Sequence, residues 1–135
     1  MGCVLRVSGR RFDVAAFLSR SRFKPCAVWR KGEARVGKRN PPKHTDSGFN
    51  LVLSDADGPS ADQQIRDALR FLKRHRLALE RLRDQPGVEQ LTLDFGTSQR
   101  SGLAQFDHFP AALVSVAGEL GMGIELSRYA IDGAS

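Results

Sequence analysis

Cysteine is nearly missing from this chain of 135 residues: Cys3 and Cys26 are the two present. They are too few for a disulfide framework and lack the spacing of a zinc site. Both are expected in strands, as buried thiols serving as small apolar residues. Histidine is equally thin. His44, His75 and His108 are scattered, no pair has helical i, i+4 spacing, and no H-E-x-x-H occurs, so no metal or cofactor site is expected. Asp107-His108 is an acid–base pair on paper, but a general base also needs a partner and a pocket. Gly96 to Gly102 follows a strand, as a phosphate loop would, yet lacks the Gly-Lys-Ser/Thr ending. Neither Ser98 nor Ser101 sits in a G-x-S-x-G elbow. No catalytic residue is therefore assigned, and the chain is read as a non-enzyme.

Long apolar runs are also missing. None approaches the roughly 20 residues that cross a bilayer, so no membrane partner is expected. Met1-Gly2-Cys3 begins like a lipidation signal, but Arg6 stands where Ser or Thr belongs. The first residues lack signal-peptide anatomy, and the expected location is cytoplasmic. Negative charge is in deficit, with 15 Asp and Glu against 21 Lys and Arg, a net charge of +6. An excess of cations can serve an acidic partner, whether nucleic acid, an anionic protein surface or a lipid headgroup, or can serve solubility alone.

What the chain does have is enough apolar residue for one core. At 41% hydrophobic and 27% charged it has globular composition, and residues 1–135 are read as a single domain. Cys3 to Val7 alternates as a strand. Asp13 is a helix cap, and Phe12 and Phe17 occupy the two positions of a hydrophobic staple. Val14, Phe17 and Leu18 make a short amphipathic helix. A strand follows from Cys26 to Arg30, and Phe49, Leu51 and Leu53 mark another. Ser60 with Gln63 reads as a capping box opening a long helix, whose stripe is Ile65, Ala68, Leu69 and Leu72. The apolar phase slips at Arg74-His75-Arg76, where Leu77 leaves the stripe and Ala78, Leu79 and Leu82 start a new one. A break is expected there, and Pro86-Gly87 ends the helix. Val88 to Phe95 is a strand, and Gly96 to Gln105 a polar loop. Pro110 opens a last helix with the stripe Leu113, Val114, Ala117 and Leu120, and Gly121 closes it. Gly123 to Ile131 is the final strand, with a fraying tail after it.

The order β-α-β-β-α-β-α-β predicts an α+β fold: a ferredoxin-like β-α-β-β-α-β core extended by a C-terminal helix and strand. Its sheet is mainly antiparallel, with helices on one face. The other face is left open, carrying Arg6, Asn50, Thr92 and Glu125 together with Trp29 and Tyr129.

Two basic clusters stand out. Arg30, Lys31, Arg35, Lys38, Arg39 and Lys43 are opposed only by Glu33. With Gly32, Gly37, Pro41 and Pro42 they read as a long, exposed, mobile loop, with a short strand near Ala34 to Val36. Such a loop can follow phosphates, with Trp29 stacking beside it. Arg66, Arg70, Lys73 and Arg74 recur at helical spacing on one face, and Arg76, Arg81 and Arg83 extend the series.

Three stretches carry a resemblance. Val28-Trp29-Arg30-Lys31-Gly32-Glu33, Gly48-Phe49-Asn50-Leu51, and Leu120-Gly121 through Ile124 to Tyr129 resemble a family of small bacterial domains of unknown function. Those domains share a basic K-G-E turn after an early strand, a central helix pair and a terminal strand after L-G. The resemblance covers most of the chain and implies no reaction, and no functional residue carries over with it. Some small bacterial domains of this general build are immunity proteins that neutralise toxins.

The reading is a protein-interaction module, immunity-like in its build, acting through the basic loop and the open sheet face. Its expected contact residues are Trp29, Arg30, Lys31, Arg35, Lys38, Arg39, Arg70 and Arg74. The partner is expected to be an anionic protein, with nucleic acid, bound by loop 30–43 and helix 66–83, as the alternative. Oligomeric state is not legible.

Overall fold

Alternation of apolar residues along β1 (Gly2–Gly9), β3 (Ser47–Ser54) and β4 (Gln90–Ser98) builds the centre of one sheet. A computed structural model describes residues 2–35, 39–99, 102 and 104–130 of the chain. Within them the elements run β1, α1 (Val14–Ser19), β2 (Ala27–Trp29), β3, α2 (Asp62–Arg74), α3 (Arg76–Arg83), β4, α4 (Ala111–Glu119) and β5 (Gly123–Tyr129). The strand order is β2-β3-β1-β4-β5. All neighbours are antiparallel except β4 and β5, which are parallel. The first four strands thus follow the split β-α-β order, and α4 supplies the crossover that a parallel fifth strand needs. The α+β class and the mainly antiparallel sheet with its C-terminal extension are as expected.

One face of the sheet holds the core. Leu5, Val7, Phe49, Leu93 and Phe95 are fully buried. They meet Ile65, Ala68 and Leu72 of α2, Leu79 and Leu82 of α3, and Leu113, Val116 and Ala117 of α4 in a single cluster. The helix break falls at His75, between α2 and α3, where the apolar phase slips. In α4 the stripe is rotated: Val116 is buried and Val114 exposed, in a helix that packs against both α2 and β5.

Helix ends show both local and remote control. Asp13 caps α1, its Oδ1 accepting the Ala16 N–H at 3.0 Å. Gly121 takes a left-handed φ of 69° after α4, and Met122 N–H reaches back to Ala117 O at 2.8 Å, the glycine-terminated closure of a helix. The expected Ser60–Gln63 box does not form. Ser60 Oγ accepts only the Asp62 N–H, at 3.2 Å, while Gln63 turns along the helix to donate to Asp67 at 2.8 Å. The entry to α2 is held instead by Asp107, whose Oδ1 accepts the Ala61 N–H at 3.1 Å.

Three further expectations are corrected. Cys26 is exposed, whereas Cys3 is buried: Cys3 lies in the central strand β1, and Cys26 just precedes the short edge strand β2. β4 continues to Ser98, so Gly96 and Thr97 are buried strand residues and not part of a loop. Loop 30–43 is tied across its limbs rather than free: Ala34 bridges Lys43, and His44 N–H donates to Glu33 O at 2.8 Å. Val36, Lys38, Ser101, Ile131 and the tail from Asp132 lie outside the described residues. No helix among those described is long and apolar enough to cross a membrane.

Candidate functional site

The sheet face away from the helices carries what alternation leaves over. Arg6 pairs with Asn50 on one side and Thr92 on the other, and Asp94 pairs with Glu125. Trp29 lies opposite Gly48 in the β2–β3 ladder. A Cβ at Gly48 would lie 2.1 Å from Val7 O and 2.6 Å from Trp29 Cζ2, so glycine is what lets the β1 backbone and the indole both come this close. The indole N–H donates to Asp46 Oδ1 at 2.9 Å, and the His44 ring stacks on it at 6.1 Å. Trp29 from one edge strand and Tyr129 from the other border a shallow depression of about 430 Å³. Val4, Arg6, Asn50 and Asp94 line its floor.

Charge in this depression is organised around Asp94. Its side chain is only 7% exposed and is bound by the Arg6 guanidinium. The Ser127 hydroxyl donates to the other carboxylate oxygen at 2.8 Å. Arg6 also lies 3.7 Å from Glu125. A buried carboxylate needs such partners to remain charged at low cost. Asn50 Oδ1 is sealed from solvent with no hydrogen-bond partner among the described residues. The arrangement offers aromatic area and a half-exposed, ion-paired guanidinium to a bound surface.

The basic residues expected to act together do not share one depression. Trp29 joins the loop to the open face through His44 and Asp46. Arg30 is exposed and 3.9 Å from Glu33, a contact of little energy in water. Lys31 shares a depression of about 450 Å³ with Arg10, Arg11 and Glu89, and its N–H donates to Ser47 Oγ at 2.9 Å. Glu89 is held below the usual carboxylate range, chiefly by the Arg10 backbone N–H at 2.6 Å and then by its guanidinium. Arg35 and Arg39 are exposed, and Lys38 lies outside the described residues. Arg70 and Arg74 instead belong to the helix layer, lining a depression with Leu53, Phe71 and His75. Arg10 and Arg11 are therefore cationic neighbours of Lys31, which shares no depression with the α2 arginines.

Several of these features escaped sequence reasoning. Asp94 interrupts the run Leu91, Leu93, Phe95 with an acid on the opposite face, which alternation makes visible. Its pairing with Arg6 and Ser127 needs the strand register. Asp107, read as an acid–base candidate, has a structural task. Its side chain is 2% exposed and lies 3.1 Å from Arg128 Nη2, without the alignment of a hydrogen bond. His108 takes no part in that contact. His75 packs on Phe71, ring centroids 4.3 Å apart.

A family model described as "Domain of unknown function (DUF4279)" matches residues 1–131. No curated protein and no solved structure matches the chain.

Proposed function

The chain belongs to this family of domains of unknown function, and from that premise we propose that it is a cytoplasmic protein-binding module that engages an anionic partner through its open sheet face and the adjoining basic loop. The observation that carries the reading is the depression between Trp29 and Tyr129, floored by the Arg6–Asp94 pair, on a face without covering helices. Aromatic and arginine side chains of this kind dominate protein interfaces. Lys31, Arg10 and Arg11 extend the surface with positive charge, which steers an acidic partner and raises its on-rate. In its immunity-like form the bound protein is a toxin, neutralised by occupation of its own surface. Nucleic acid is the weaker reading, since Lys31 of the loop and the α2 arginines Arg70 and Arg74 line separate depressions.

A pull-down at moderate salt tests this with immobilised wild-type domain, Trp29→Ala and Tyr129→Ala. Wild type is expected to retain a protein that both variants lose. Failure to retain any protein, or equal retention by both variants, overturns the reading. A labelled oligonucleotide that binds wild type with an affinity falling steeply with salt would favour nucleic acid instead.

A further inference from the structure

On the helix side, a second concavity of about 1050 Å³ lies between α3 and the segment joining α1 to β2. Its apolar surface comes from Phe17, Phe23 and Leu77. Leu77 is 71% exposed, on the side of α3 opposite the buried Leu79 and Leu82. It is also the residue whose position breaks the apolar phase of the sequence. Leu77 takes no part in the core cluster of the described residues.

The charges around this groove are unbalanced. Its two carboxylates are already engaged: Arg76 Nε binds Glu80 at 3.0 Å, and Arg83 Nε binds Asp84 at 2.9 Å. Arg20, Arg22 and Arg81 line the same groove, and among the described residues none of the three has an ion-pair or side-chain hydrogen-bond partner. Three unmatched guanidinium groups around an apolar surface match carboxylates flanking an apolar side chain. The groove is open and, at about 1050 Å³, sits at the upper end of the roughly 300–1,000 Å³ range of ligand clefts, room enough for an extended segment.

We propose that this groove docks an acidic peptide segment of a partner protein, with an apolar side chain against Phe23 and Leu77 and carboxylates on Arg20, Arg22 and Arg81. The surface is separate from the open sheet face, and the two are tested apart.

A random-peptide phage library panned on the whole domain identifies binders, which are then synthesised with a fluorophore for anisotropy. The enriched sequences are expected to carry Asp or Glu beside Leu, Phe or Trp. Their affinity should fall by about tenfold or more in Leu77→Asp and in Arg81→Glu, the size of loss that interface anchors show. Trp29→Ala should leave it unchanged. Circular dichroism confirms that the variants fold, and Arg20→Ala with Arg22→Ala gives a milder second perturbation with the same expected direction. Enrichment of basic or neutral sequences, no enrichment, or binding indifferent to both Leu77→Asp and Arg81→Glu overturns the proposal. So does the finding that Leu77→Asp abolishes vesicle binding or self-association rather than peptide binding.

Discussion

Replacing Arg6 by alanine removes the main cation from a carboxylate that is almost fully enclosed. Among the described residues, Asp94 would keep the Ser127 hydroxyl, at 2.8 Å. Removing one partner of a fully buried ion pair costs about 3–5 kcal/mol. Arg6 is itself 49% exposed, so solvent already screens part of the attraction, and about 2 kcal/mol is the better figure. For a domain of this length that lowers Tm by about 8 °C. Asp94→Asn removes the charge but retains an acceptor for Ser127, and should cost about 1 kcal/mol. The double variant, with neither charge left to satisfy, should cost less than the sum, by a coupling of about 1 kcal/mol. Urea unfolding followed by circular dichroism and by fluorescence of the single tryptophan measures all three. A loss below about 0.5 kcal/mol for Arg6→Ala, within the range of ordinary surface changes, would refute the reasoning. Strict additivity would refute it as well.

Asp107→Ala should destabilise the domain by about 2 kcal/mol, near the upper range for a lost helix cap, and Asp107→Asn by clearly less, because an amide oxygen still accepts the Ala61 N–H; thermal melts in parallel decide it. The two thiols should differ sharply towards an aromatic disulfide reagent at pH 8. Cys26 is exposed and reacts at once, whereas burial pushes the Cys3 thiol up to about 12, so it should react only after unfolding; two fast equivalents would contradict this. Asp67 is held below its ordinary value of 3.8, first by the Ser54 hydroxyl and then by Gln63. A depressed carboxylate contributes stability above its unfolded pKa and loses it as pH falls through the folded one. Asp67→Asn should therefore destabilise at neutral pH, with the difference from wild type shrinking in acid below 3.8; a pH-independent difference in urea midpoints would count against it.

Much of the framework was legible locally. Alternation located the central strands, since the side-chain period of a strand is independent of its partners. The phase slip around His75 located the break between α2 and α3. Asp13 and Gly121 act on their own helices, within reach of a few residues. Ser60 failed as half of a capping box because Gln63 had a competing partner in Asp67 on the same helix face. Val114 failed as a core residue because a short, mostly apolar helix offers more than one possible buried face, and packing on α2 and β5 chooses between them.

By itself, then, the amino-acid order decided the class of fold, the position of each long element, and the presence of a cationic surplus with Trp29 at its edge. The tertiary structure alone decided which charges meet. Asp94 finds Arg6 and Ser127 through strand register, Asp107 finds Ala61 and Arg128 across large sequence separations, and Lys31 joins Arg10 and Arg11 instead of the α2 arginines. The physical reason is range: propensity and periodicity act over one or two turns of chain, whereas a buried charge is satisfied by whatever group the folded sheet brings within hydrogen-bond distance.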